Sequence, residues 1–183
     1  MSDRGPDSDR GRLFLVTGTD PEQRRSLAAA LARRIGRAVV IDGEALERLV
    51  RIGSLEPWTG TPTSAQLRDR LLRWSAALAV AETHQLEGWD AVLVEDALGE
   101  RLEDLLDLVD PEPVHLVVIA AGVDPSTPRW GLWVDEPTPA NEAAEAAEPD
   151  TMAEVDTVAE LDAMAESVLA RLDEALVVTA DPT

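Results

Sequence analysis

The chain contains no lysine: its 16 basic residues are all arginine, so no ammonium side chain exists anywhere in it. It also contains no cysteine, which excludes disulfides, thiol catalysis and cysteine-type zinc sites. No apolar run approaches the ~20 residues that span a bilayer, and the opening MSDRGPDSDRGR lacks the pattern of a signal peptide. Positive charge is scarce, 16 bases against 36 acids, and the net charge of -20 argues against nucleic acid and anionic membranes as partners. No G-x-G-x-x-G follows the first apolar run, and no G-x-S-x-G elbow occurs. These absences lead to the expectation of a cytoplasmic protein without a dinucleotide site or a hydrolase triad.

What is present is enough for one core. A length of 183 residues suits a single domain with tails, and 45% hydrophobic with 28% charged residues is an ordinary globular balance. The acidity is uneven: from Glu136 to Thr183 there are 13 acids and one base, Arg171, giving -12 of the -20. A solvated tail and helix face is the simple reading, and a docking surface for a basic partner is the other.

Short continuous runs rich in Val, Ile and Leu predict buried strands at Leu13–Thr17, Ala38–Asp42, Ala91–Glu95 and Val114–Ala120, with a shorter one at Gly131–Asp135. Helical patterns lie between most of them. Asp20-Pro21-Glu22-Gln23 reads as an acidic cap with Pro in the first turn; Leu27, Leu31 and Ile35 share a face, and Gly36 is the stop. A short helix is predicted over Glu44–Ile52. Thr63 and Gln66 predict a capping box, ahead of a long helix with Leu67, Leu71, Trp74, Leu78 and Ala81 on its buried side. A further helix covers Arg101–Val109. The alternation predicts an α/β fold, a doubly wound parallel sheet of about five strands with helices on both faces. The expected organisation is a disordered tail over 1–11, the α/β domain over 12–135, an acidic Pro/Ala/Glu linker over 136–151, a C-terminal helix over 152–178 packing on the domain, and a tail over 179–183. In that helix Val158, Leu161, Ala165, Val168 and Leu172 recur at helical spacing.

The first strand and helix enclose a sequence that begins as a phosphate-binding loop. After Gly18, the pattern G-x-x-x-x-G-K-[ST] requires Gly at 23, Lys at 24 and a hydroxyl at 25; the chain has Gln23, Arg24 and Arg25. Pro21 removes one backbone donor, Asp20 would accept the N–H groups that a phosphate needs, and Asp20 and Glu22 would repel it. Arg24 retains the positive charge in a bulkier, forked form.

In order and spacing, LFLVTG, RAVVIDGEALERLV, EGWDAVLVEDALGERLEDLLDLV, PEPVHLVVIA and WGLWVD resemble small P-loop kinases of the chloramphenicol phosphotransferase type, over roughly Arg12 to Asp135. The resemblance implies a cofactor site with Gly18 as the first loop glycine, Arg24 in the lysine position, Arg25 where the hydroxyl belongs and Ser26 one residue late. It further implies Asp96, or its neighbour Glu95, as the magnesium-holding acid of the third strand, and Asp42 as the base. Trp58 lies where such kinases build the substrate pocket. Between Ile119 and Trp130 only Arg129 is available for the arginine-bearing lid that these kinases close on phosphates.

With loop glycine, lysine and lid all missing, the expectation is a pseudo-enzyme: a binding or regulatory protein with weak or no ATP affinity and an unidentified protein or small-molecule partner. The alternative is an active small-molecule phosphotransferase taking ATP and magnesium, with Arg24 on phosphate, Asp96 on the metal and Asp42 as base. A third possibility is an interaction module using the acidic C-terminal segment. Residue by residue, the simpler readings are a helix cap for Asp42, a structural or solvent-facing role for Asp96 and Glu95, a solvated basic face for Arg24, Arg25, Arg33, Arg34 and Arg37, structural roles for His84 and His115, and packing for Trp130 and Trp133.

Overall fold

The computed structural model describes residues 10–50, 61–119, 131–134 and 152–178. Trp58, Trp130, the segment between Ile119 and Trp130, the linker over 136–151 and most of the two tails lie outside the described residues. The elements run β1 (Leu13–Gly18), α1 (Pro21–Ile35), β2 (Ala38–Asp42), α2 (Gly43–Val50), α3 (Ser64–Leu86), β3 (Asp90–Val94), α4 (Glu100–Val109), β4 (Val114–Ile119), β5 (Leu132–Val134), α5 (Met152–Ala170), α6 (Leu172–Ala175) and β6 (Leu176–Val177).

Five strands form a parallel sheet in the order β2-β3-β1-β4-β5, with β1 at its centre. The strands β1 and β3 are buried along their whole length and mostly apolar, as strands covered on both faces are. On one face Leu13, Leu15, Leu93, Leu116 and Val118 meet Trp74, Ala77 and Ala81 of α3 and Leu102 and Leu105 of α4. On the other, Phe14, Val16, Val92, Val117 and Ile119 meet Leu27 and Leu31 of α1 and Leu161, Ala165 and Val168 of α5. Successive residues of one strand thus feed opposite layers, as the two-residue strand period requires.

Three expectations change. The buried side of α3 is Trp74, Ala77, Ala81 and Gln85, with Leu78 packed at its margin, whereas Leu67 and Leu71 are 41% and 43% exposed. A helix of 23 residues is roughly 35 Å long, and five- or six-residue strands span only about 17–20 Å, so the first turns of α3 overhang the sheet. The predicted C-terminal helix ends at Ala170; a single turn follows, and Leu176–Val177 form β6, antiparallel to β4. Here β4 has a spare edge: β5 pairs with Val117 to Ile119, leaving Val114 and His115 for β6.

The third change concerns charge. Arg33 and Arg34 are exposed, as a solvated face requires, but they are also paired: Arg33 with Asp162 at 3.2 Å, and Arg34 with Asp162 at 3.6 Å and with Glu166. The basic side of α1 is therefore the dock for α5, so at least two acids of the C-terminal segment answer an internal partner. Such exposed pairs fix register more than they stabilise; the apolar stripe of α5 supplies the burial. His115 stacks on Phe14 at 4.9 Å and lies 3.3 Å from the Leu172 carbonyl, and His84 meets Trp89 edge-on at 6.5 Å.

Candidate functional site

The carboxyl ends of β1, β2 and β3 converge with the first turns of α1 and α2, the place where open α/β sheets bind ligands. Each turn is built by short-range rules. Asp20, in extended conformation, caps α1 by accepting from Glu22 N at 2.7 Å and Gln23 N at 3.2 Å. Pro21 follows, where a donor would have no helical partner. Asp42 ends β2 and caps α2 by accepting from Ala45 N at 3.1 Å. Replacing Asp20 by Ala is expected to lower stability by about 1 kcal/mol in chemical denaturation; an unchanged midpoint would show that its carboxylate is not engaged with the helix.

Gly18 ends β1, and its need for glycine is one of packing. A Cβ there would lie 2.5 Å from the Ile119 carbonyl oxygen of the adjacent strand. Arg24 is buried at 2% exposure rather than solvated. Its guanidinium donates to the Gly18 carbonyl at 2.6 Å and to Glu44 Oε1 at 2.6 Å. Arg25 donates to Asp42 Oδ2 at 2.8 Å and to the second oxygen of the same Glu44 at 2.6 Å. Two arginines, one turn of helix and two carboxylates thus close into a single network. Ser26 lies further along α1, partly buried.

Burial would raise the Asp42 carboxyl, but the Arg25 hydrogen bond and the Ala45 N–H outweigh it and hold Asp42 below the usual carboxylate range. It is an ionised, doubly engaged cap.

The two acids after β3 part company. Asp96 is partly exposed and pairs with Arg101 at 3.2 Å. Glu95 is fully buried, which replaces the solvent-facing reading. Its Oε2 accepts from Arg73 of α3 at 2.8 Å, while Oε1 has no donor in hydrogen-bonding geometry among the described residues. Burial pushes Glu95 up to about 7, against the opposing pull of Arg73 and the nearby Trp74 indole and with a further push from Glu44. Gly43 makes room for it: a Cβ at 43 would fall 1.6 Å from Glu95 Oε1. Behind this acid, Thr17 Oγ1 donates to the Ala97 carbonyl at 2.9 Å and accepts from Ala97 N at 3.1 Å, tying the end of β1 to the loop after β3.

The structure therefore brings together Gly18, Arg24, Arg25 and Asp42, sets Asp96 beside Arg101, and leaves Trp58 outside the described residues. Sequence reasoning missed Glu44, the shared partner of both arginines, and the Glu95–Arg73–Trp74 group. The signal for Glu44 was its place two residues after Asp42, at the start of a helix facing α1.

Among the described residues, the donors around the head of α1 are already engaged within the protein. The Asp20 carboxylate already accepts the N–H groups at the head of α1, Pro21 contributes none, and Arg24 and Arg25 are committed to Glu44. Among the described residues no group of three or more His, Cys, Asp or Glu side chains is arranged to hold a metal ion. No helix among them is long and apolar enough to cross a membrane.

No protein-family model matches the chain, and no curated protein does. Among solved structures it is similar to the protein named APE1195, with a TM-score of 0.53 at 14% identity, covering 90% of this chain and 98% of that one. It also resembles a gluconokinase from Sinorhizobium meliloti 1021, with a TM-score of 0.49 at 16% identity over 88% and 93% of the two chains. A third is the Mycobacterium tuberculosis APS kinase CysC, at 0.47 and 18% over 82% and 98%. The protein has an α/β fold, a parallel sheet covered by helices on both faces, and at 14% identity the likeness to APE1195 is one of fold alone.

Proposed function

We propose that this protein is a kinase-like scaffold that no longer transfers phosphate, serving as a cytoplasmic binding or regulatory protein with weak or no ATP affinity. The observation that carries this reading is the commitment of Arg24. The cation standing in the lysine position is buried and bonded to Gly18 and Glu44, so a phosphate would have to displace the carboxylate partner of a desolvated guanidinium to reach it. The Asp20 cap acts in the same sense, because a helix head that already holds a carboxylate offers an anion neither free N–H groups nor a positive field. The net charge of -20 favours a protein or small-molecule partner over nucleic acid or a membrane surface.

Calorimetric titration with ATP and magnesium at low salt tests the proposal. The expected result is no saturable heat from folded protein. Micromolar binding that disappears in Arg24→Ala would sink it in favour of an active small-molecule phosphotransferase with Asp42 as base and Asp96 on magnesium.

A further inference from the structure

Glu44 is placed as a ligand is placed. Its two oxygens each accept one hydrogen bond of 2.6 Å from a different guanidinium, Arg24 on one side and Arg25 on the other. This is how two arginines commonly hold an oxyanion: charge-assisted bonds from two forks to separate oxygens of one group. The arginines come from α1, and the carboxylate comes from the first turn of α2. Neither arginine depends on Glu44 alone, since Arg24 also holds the Gly18 carbonyl and Arg25 also holds Asp42. Removing the carboxylate would leave both forks anchored with one face each unsatisfied. Arg24 is almost wholly buried, so that loss leaves a desolvated cation seeking an anion.

We infer that Glu44 is a tethered, internal anion occupying a two-arginine oxyanion site, and that the site's external ligand class is a compact phosphate-type dianion rather than a nucleotide. The inference rests on the reading of this site as closed to ATP, and it names what closes it. A carboxylate held on a short helix competes at a high effective concentration, so it suppresses external binding without abolishing the site. The head of α1 stays blocked by Asp20 whether or not Glu44 is present, which restricts any ligand to what the two guanidinium groups alone can grip. Glu44 is 31% exposed, so solvent and a small anion can approach it.

Inorganic phosphate is the probe, titrated at low salt into the wild-type chain and into Glu44→Gln and Glu44→Ser. The wild type is expected to give no saturable binding up to millimolar phosphate. Both variants are expected to bind with at least ten-fold higher affinity and to melt at higher temperature in phosphate than in a chloride buffer of equal ionic strength. Adding Arg25→Ala to Glu44→Gln should remove the gain. Folded variants that bind phosphate no better than wild type would overturn the inference. So would loss of the fold in both variants even in phosphate buffer, because Glu44 would then be an irreplaceable structural charge. Binding of magnesium–ATP by the wild type would instead overturn the reading of the site as closed, and the two failures are separately visible.

Discussion

Trp74→Ala is expected to lower the unfolding free energy by about 3–5 kcal/mol, a loss of the size seen when large aromatic side chains are cut from a core. Trp74 is 1% exposed and is the largest fully buried side chain of the chain's described residues. It stands where α3 crosses the sheet, among Leu15, Leu93 and Leu116, with the Arg70 guanidinium 5.7 Å from its ring centre. Strands pinned on both faces cannot close a void of this size, so the cavity cost adds to the lost transfer energy. The indole also supports the charged form of Glu95, and that support goes with it. Urea denaturation followed by circular dichroism checks this. A loss below about 1 kcal/mol would mean that α3 collapses onto the sheet, and that its position over β3 is not fixed by the tryptophan.

The second large effect depends on pH. Glu95 is pushed from 4.5 up to about 7 in the folded protein, so between those values the native state holds a proton that the unfolded state has released. Stability falls with rising pH wherever the native state binds more protons. The unfolding free energy of wild type minus that of Glu95→Gln is therefore expected to drop by about 3 kcal/mol from pH 4.5 to pH 7.5, since each pH unit between the folded and unfolded titrations is worth about 1.4 kcal/mol. Taking the difference cancels the other carboxylates, which titrate in both proteins. Glutamine keeps an acceptor for Arg73 and carries no titrating proton. A flat difference across this range would show that Glu95 ionises normally and is satisfied by Arg73 alone.

The chain's architecture was readable where a single local rule was decisive. Runs such as LFLVTG and DAVLV announce strands covered on both faces, and Asp20-Pro21 announces a helix head that caps itself. The site was readable only in part, because its main facts join distant positions. Arg24 looks like any surface arginine until Glu44, 20 residues later, lies against it. Of two consecutive acids, which one turns inward depends on where β3 ends; that end at Val94 sends Glu95 inward beside Arg73 and leaves Asp96 to Arg101. Gly18 was readable as a motif residue, yet what excludes a side chain there is the Ile119 carbonyl of β4. Leu172 continues the helical spacing of α5, which hid β6, since that strand exists only because β4 has an edge left to fill.

The divided edge of β4 also bears on how the protein is made. The half of that edge at Val114 and His115 is closed by Leu176 and Val177, which leave the ribosome long after β4 itself. Until then the growing chain carries an open row of backbone donors and acceptors on an apolar strand, the kind of edge on which a second chain can pair. Messages cut short before codon 176 should therefore yield self-associating products, and β6 acts as the closing stitch of the sheet.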